Sequence, residues 1–165
     1  IKKSEIIFLE GYLWDEGDPK KAFDKAIKNA KKVAMSLSDK FCVDRHKSHF
    51  LDLVKNKLDI IFANEEEILS LIDTRNLDDV ITFGKEIGKI LVVTRGKHGA
   101  ISINKGKVTK ININKGLEVI DLTGAGDLFA AGYLHGHINN FSEEKCLQNG
   151  TDMSSKIIQK IGARL

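Results

Sequence analysis

Val119-Ile120-Asp121-Leu122-Thr123-Gly124-Ala125-Gly126-Asp127-Leu128-Phe129-Ala130-Ala131-Gly132 decides the reading of this chain. An apolar, strand-like approach runs into the small residues Gly124, Ala125 and Gly126, an aspartate follows at once, and a helix-compatible run of Leu, Phe and Ala begins there. Small residues let backbone N–H groups approach an anion closely, and the helix they open directs its positive dipole end the same way. Asp127 in the first turn would stand beside a bound phosphate, where a carboxylate can take the proton of a hydroxyl that attacks phosphorus. Taken alone, the glycine pair reads equally well as a tight turn into a helix with a first-turn charge. The dinucleotide fingerprint fails because Phe129 stands where a third small residue is required, and no Gly-x-x-x-x-Gly-Lys-Ser/Thr loop occurs.

Working outward, Ile6-Ile7-Phe8-Leu9, Val33-Ala34-Met35-Ser36-Leu37, Ile60-Ile61-Phe62 and Ile90-Leu91-Val92-Val93 are short continuous apolar runs, as strands covered on both faces are. Helical patterns lie between them. Asp18-Pro19 reads as a cap with proline at the first helical position, followed by a stripe of Ala22, Phe23, Ala26, Ile27 and Ala30. Asn64 and Asn76 each precede a further helical segment. Strands alternating with helices imply right-handed crossovers and an α/β, doubly wound, mostly parallel sheet flanked by helices, with ligands gathered at the carboxyl ends of the strands. Residues 100–113, alternating around Asn104-Lys105-Gly106, read as an antiparallel hairpin. Two helices are expected to finish the chain, from Gly126 to about Ile138 and from Ser142 to about Ile161, while Gly84 and Gly88 read only as residues near a helix end.

Composition narrows the function. The 165 residues suit one core, and 26 basic against 23 acidic residues, a formal charge of +3, are intermixed rather than clustered, which speaks against nucleic-acid binding. The apolar runs fall well short of the ~20 residues a membrane span needs. Cys42 and Cys146 have no framework spacing and read as buried, reduced thiols, with a cytoplasmic location expected.

Three motifs now come together. Asp121-Leu122-Thr123-Gly124-Ala125-Gly126-Asp127, with Ala131-Gly132, resembles the C-terminal motif of the ribokinase-like (PfkB) carbohydrate and nucleoside kinases. Asn64-Glu65-Glu66-Glu67, after Ile60-Ile61-Phe62-Ala63, is similar to the family's Asn-x-x-Glu motif, and Thr94-Arg95-Gly96-Lys97-His98-Gly99 resembles its Thr-x-Gly-x-x-Gly nucleotide turn. Leu122 departs from the small or hydroxylated residue usual there. Phe8 to Asp15 and Ser36 to Cys42 look more like the adenosine-kinase-like sugar kinases of bacteria than like ribokinase.

The resemblance implies ATP-dependent phosphoryl transfer to a hydroxyl of a sugar or nucleoside. Gly124, Ala125 and Gly126 would form the anion hole and Asp127 would be the base. Asn64 and Glu67 would act through Mg2+ and its waters, and Thr94, Gly96 and Gly99 would contact ATP, with Arg95 or Lys97 adding positive charge. Thr151 falls where relatives place an adenine-pocket residue, usually asparagine, and Asp121 and Thr123 lie where some relatives bind a monovalent cation such as K+. Family members are about twice as long, so residues 1–165 are expected to be the C-terminal, nucleotide-binding part of one kinase domain. The N-terminal half and lid, through which relatives often pair as homodimers, would lie outside them, leaving the fragment inactive.

Blander readings stand beside these. Asn64 to Glu67 alone is a helix cap with surface acids, and Thr94 to Gly99 alone is a plain turn. His46 with His49, or His135 with His137, lack the partners of a metal site. Tyr12 and Trp14 are base-stacking or core aromatics, Asp44-Arg45-His46 a phosphate contact or a helix start, and Asp121 a strand-end charge. A kinase of another small alcohol, such as a pyrimidine vitamin precursor, or a non-catalytic nucleotide-binding module remain the competing functions.

Overall fold

The computed structural model describes residues 1–14 and 18–165; Asp15, part of the segment compared with bacterial sugar kinases, lies outside the described residues. Six strands form one sheet in the order β1 (Ile7–Glu10), β2 (Val33–Ser36), β3 (Ile60–Asn64), β4 (Ile90–Thr94), β5 (Ala100–Asn104) and β6 (Lys107–Ile111). β1 to β3 are parallel, with Ile7 opposite Val33 and Ala34 opposite Ile60. Lys105 and Gly106 join the neighbours β5 and β6 with φ of 50° and 78°, the two-residue turn whose positive dihedrals match the twist of an antiparallel hairpin.

The chain forms two compact units, residues 1–93 with 103–108 and residues 94–102 with 109–165. In the first, β2, β3 and β4 are buried almost throughout, which explains their unbroken apolar runs. Around them pack α1 (Pro19–Asn29), α2 (Lys40–Asn56), α3 (Glu65–Leu71) and α4 (Leu77–Ile87). The expected stripe of α1 narrows to Phe23 and Ala26, with Ala22 exposed, and Asp18 makes no side-chain cap bond. α2 starts earlier than Asp44-Arg45-His46 suggested, because Asp39 caps it by accepting from the Cys42 amide at 2.6 Å; His46 sits instead at an internal kink with φ −116°. Asn76 caps α4, and Gly88 ends it in the left-handed conformation at φ 65°. Gly84 has a packing role that its position near the helix end did not reveal: a Cβ there would stand 3.1 Å from Ile103.

In the second unit, α5 (Ala125–Ile138) and α6 (Glu143–Ile157) form a tight pair. A Cβ on Gly132 would meet the Asn149 carbonyl oxygen at 2.5 Å, one on Gly136 the Cys146 sulfur at 3.0 Å, and one on Gly150 the Phe129 oxygen at 2.8 Å. Those approaches descend along one helix as they ascend along the other, so the helices run antiparallel and touch backbone to backbone. The Glu143 carboxylate accepts from the Tyr133 hydroxyl and, at 2.5 Å, from Ser102 Oγ, tying both helices to the start of β5. α6 stops four residues before the expected Ile161, and residues 119–122 are loop rather than the strand their apolar content suggested.

Candidate nucleotide and phosphoryl site

Asn64 and Glu67 belong to the first unit and close a capping box. Asn64 Oδ1 accepts from the Glu67 amide at 2.8 Å, while Glu67 accepts from the Asn64 amide at 2.9 Å and from Asn64 Nδ2 at 2.6 Å. Such a box calls for a capping side chain and, three residues on, a Glu or Gln, so it accounts for this pair whatever else they do. It is unusual in being buried: Glu67 is 4% exposed, and desolvation, against the pull of the Asn64 hydrogen bonds, pushes its carboxyl up to about 7.

The other two motifs lie in the second unit, where the Arg95 amide donates to the Gly99 carbonyl at 2.8 Å and closes the turn after β4. Gly99 has φ 79° and ψ −139°, and a Cβ there would fall 2.0 Å from the Ile111 oxygen, so only glycine fits. A cavity of about 650 Å³ opens beside it, lined by Thr94, Gly96, Lys97 and Gly99 from this turn, residues 113–117, Val119 and Leu122 from the loops, Ala125, Gly126 and Phe129 from α5, and Thr151, Ser154, Ser155 and Ile158 from α6 and its end. Lys97 lines it and Arg95 does not.

Gly124 caps α5 in the left-handed conformation, φ 78°, and a Cβ on it would press Ala163 at 3.0 Å. Of the three residues expected to cradle an anion, Ala125 donates its amide to the Leu122 carbonyl at 3.1 Å, a bond that turns the chain into the helix. Among the described residues the amides of Gly124, Gly126 and Asp127 have no intramolecular partner, and open space lies in front of Gly126. The Asp127 side chain is exposed.

Asp121 is a loop brace rather than a strand-end charge. One oxygen accepts from the Thr123 amide (2.9 Å) and hydroxyl (2.7 Å), the other from the Gly162 amide at 2.8 Å, and these bonds hold its carboxyl below the usual range. Trp14 packs within 5.0 Å of Phe23 and 6.1 Å of Phe50, ring centre to ring centre, so it is a packing aromatic; Tyr12 stays exposed. His135 and His137 lie against Phe141 and Tyr133, His46 against Phe50, and among the described residues no His, Cys, Asp and Glu group is placed to hold a metal ion by itself. Cys42 and Cys146 are buried free thiols, and burial pushes Cys146 up to about 11.

Sheet, glycine turn and helix-opening nest define an α/β protein of the ribokinase kind, and the chain belongs to the pfkB family of carbohydrate kinases, whose sequence model matches residues 1–165. It is 37% identical to the crystal structure of a probable sugar kinase from Rhizobium etli CFN 42, with a TM-score of 0.95 over 99% of this chain and 51% of that one. The adenosine kinase from Sinorhizobium meliloti is similar at 35% identity and TM-score 0.96, covering 99% and 52%. Among curated relatives, the adenosine kinase of Dictyostelium discoideum is 28% identical over 181 residues, 99% of this chain and 52% of its own length. The chain thus spans about half the length of these relatives.

Proposed function

We propose that residues 1–165 form the nucleotide-binding part of a single kinase domain that transfers the terminal phosphoryl group of ATP to a hydroxyl of a sugar or nucleoside. The observation that carries this reading is the start of α5, where unpaired amides at Gly124, Gly126 and Asp127 and an exposed carboxylate adjoin a cavity of nucleotide size. Phosphoryl transfer asks the protein mainly to position groups and to stabilise charge on phosphate oxygens, and unpaired helix-start amides do so without reorganising. Gly124 and Gly126 would donate to the transferred phosphoryl group, with Ala125 shaping the turn. Asp127 would accept the proton as the acceptor oxygen bonds to phosphorus and the bond to ADP breaks.

The cavity suits ATP: apolar walls at Leu117, Val119 and Phe129 for the base, hydroxyls at Thr94 and Thr151, glycines 96 and 99 for close approach, and the Lys97 charge. Arg95 would add charge from outside the lining. Mg2+ suits Glu67 and Asn64 only through water, because both Glu67 oxygens already accept from Asn64; an ion that keeps its hydration and leans on nucleotide phosphates fits such a pair. Asp121 and Thr123 suit K+ poorly, since three of the roughly four acceptor sites on the Asp121 carboxylate are taken.

The test is kinase activity of the protein that carries this chain, with adenosine and sugars as acceptors. Asp127→Asn is expected to lower kcat by about 10²–10⁴-fold while ATP binding persists. ATP binding without turnover on any sugar, nucleoside or other small alcohol would leave only a nucleotide-binding module. The 165 residues alone are expected to bind ATP but to phosphorylate neither adenosine nor ribose.

A further inference from the structure

One wall of the cavity is not a regular element but the loop after β6, residues 112–117, and a single side chain fixes it. Asn114 Nδ2 donates to Asp152 Oδ1 and to Ser155 Oγ, both at 3.1 Å, and its Oδ1 accepts from Gln148 Nε2 at 3.3 Å. Gln148 also donates to Asp152 at 2.7 Å. Gln148, Asp152 and Ser155 follow one another at four and three residues along α6, so they share a face of that helix. A carboxylate can only accept, so Asp152 dictates which end of both amides turns toward it. Both N–H donors of the Asn114 carboxamide are engaged in this way, which commits the group to holding its loop.

Resting on the nucleotide reading above, we propose that Asn114 is a positioning residue for the donor nucleotide: by stitching its loop to α6 it sets the wall formed by residues 115–117, and nucleotide affinity depends on that stitch. Ser155 stands at the junction, lining the cavity while accepting from Asn114. Thr151, 7% exposed, lines the same space, and its hydroxyl has no partner among the described residues.

The polarity of the network makes a stringent test. Asn114→Asp places an acceptor against the acceptor of Asp152 and is expected to weaken ATP binding about tenfold in a fluorescent ATP-analogue titration of the chain. Adding Asp152→Asn turns a donor back toward position 114 and the Ser155 hydroxyl can turn to donate, but Gln148 Nε2, which donates to the same Asp152 oxygen, loses that acceptor, so affinity is expected to recover about threefold rather than fully. Gln148→Leu removes two hydrogen bonds without touching the cavity and is expected to weaken binding about threefold, so the proposal stays testable if Asn114→Asp folds poorly. In the catalytically active protein the Asn114 variant should raise the ATP KM and leave kcat and the acceptor KM unchanged; a residue that only supported folding would lower active concentration and melting temperature instead. Wild-type affinity in Asn114→Asp, or no recovery in the double variant, overturns the stitch while leaving the nucleotide reading intact. Failure of the wild-type chain to bind the analogue overturns both.

Discussion

Gly132→Ala is the perturbation that most directly measures how α5 is held. A methyl group at that position would lie 2.5 Å from the Asn149 carbonyl oxygen, 2.8 Å from its carbonyl carbon and 3.0 Å from Gly150 Cα, all backbone atoms that cannot rotate away. Ordinary contact begins near 3.4 Å, so the helices must separate by about 0.9 Å along that line. Replacing a helix-interior glycine by alanine gains about 1 kcal/mol of helix propensity, whereas overpacking against a fixed neighbour costs up to about 3 kcal/mol. The net expectation is a loss of about 2 kcal/mol, or roughly 4–8 °C in melting temperature for a chain of this size. Gly84→Ala is the matched comparison, because its nearest neighbours are Ile103 side-chain atoms at 3.1–3.2 Å, an overlap of about 0.2–0.3 Å rather than 0.9 Å, so its net loss should be the smaller of the two. Urea and thermal unfolding of both variants decide the matter. Equal stabilities would refute the backbone-to-backbone seam. Because Gly132 follows Asp127 on the same helix, the variant should also weaken ATP binding as the opening of α5 shifts.

Other expectations follow from the same geometry. Glu67 holds its proton more tightly in the folded chain, at about 7, than at the ordinary value of 4.5, so its contribution to stability is full below about pH 4.5 and declines as pH rises to 7. In magnesium-free buffer the stability difference between wild type and Glu67→Gln should therefore move by up to about 3 kcal/mol over that window, and a difference constant with pH would sink the assignment. Gly99→Ala, whose methyl would fall 2.0 Å from the Ile111 oxygen, is expected to abolish ATP binding through loss of the turn, readable by titration alongside circular dichroism. Asn64→Ala should cost about 1 kcal/mol by removing the α3 cap, measured by urea unfolding.

The sequence by itself determined the strands and most of the helices, because strands sheltered on both faces must be apolar throughout and caps must be Asn, Asp or Ser at a set distance. It also determined the glycines at 99 and 124, whose positive φ only glycine adopts at little cost. Tertiary structure alone decided what periodicity and local propensity do not encode. The apolar content of residues 119–122 suggested a strand, yet with Ile120 and Asp121 donating to the Ile158 carbonyl the segment is loop. That Lys97 rather than Arg95 faces the cavity, that the Ala125 amide is turned to Leu122, and that Asn114 reaches Asp152 across 38 residues of chain are all consequences of packing. Each depends on which partner lies opposite in space, and a string of residues carries that information only after the helices and loops have closed around one another.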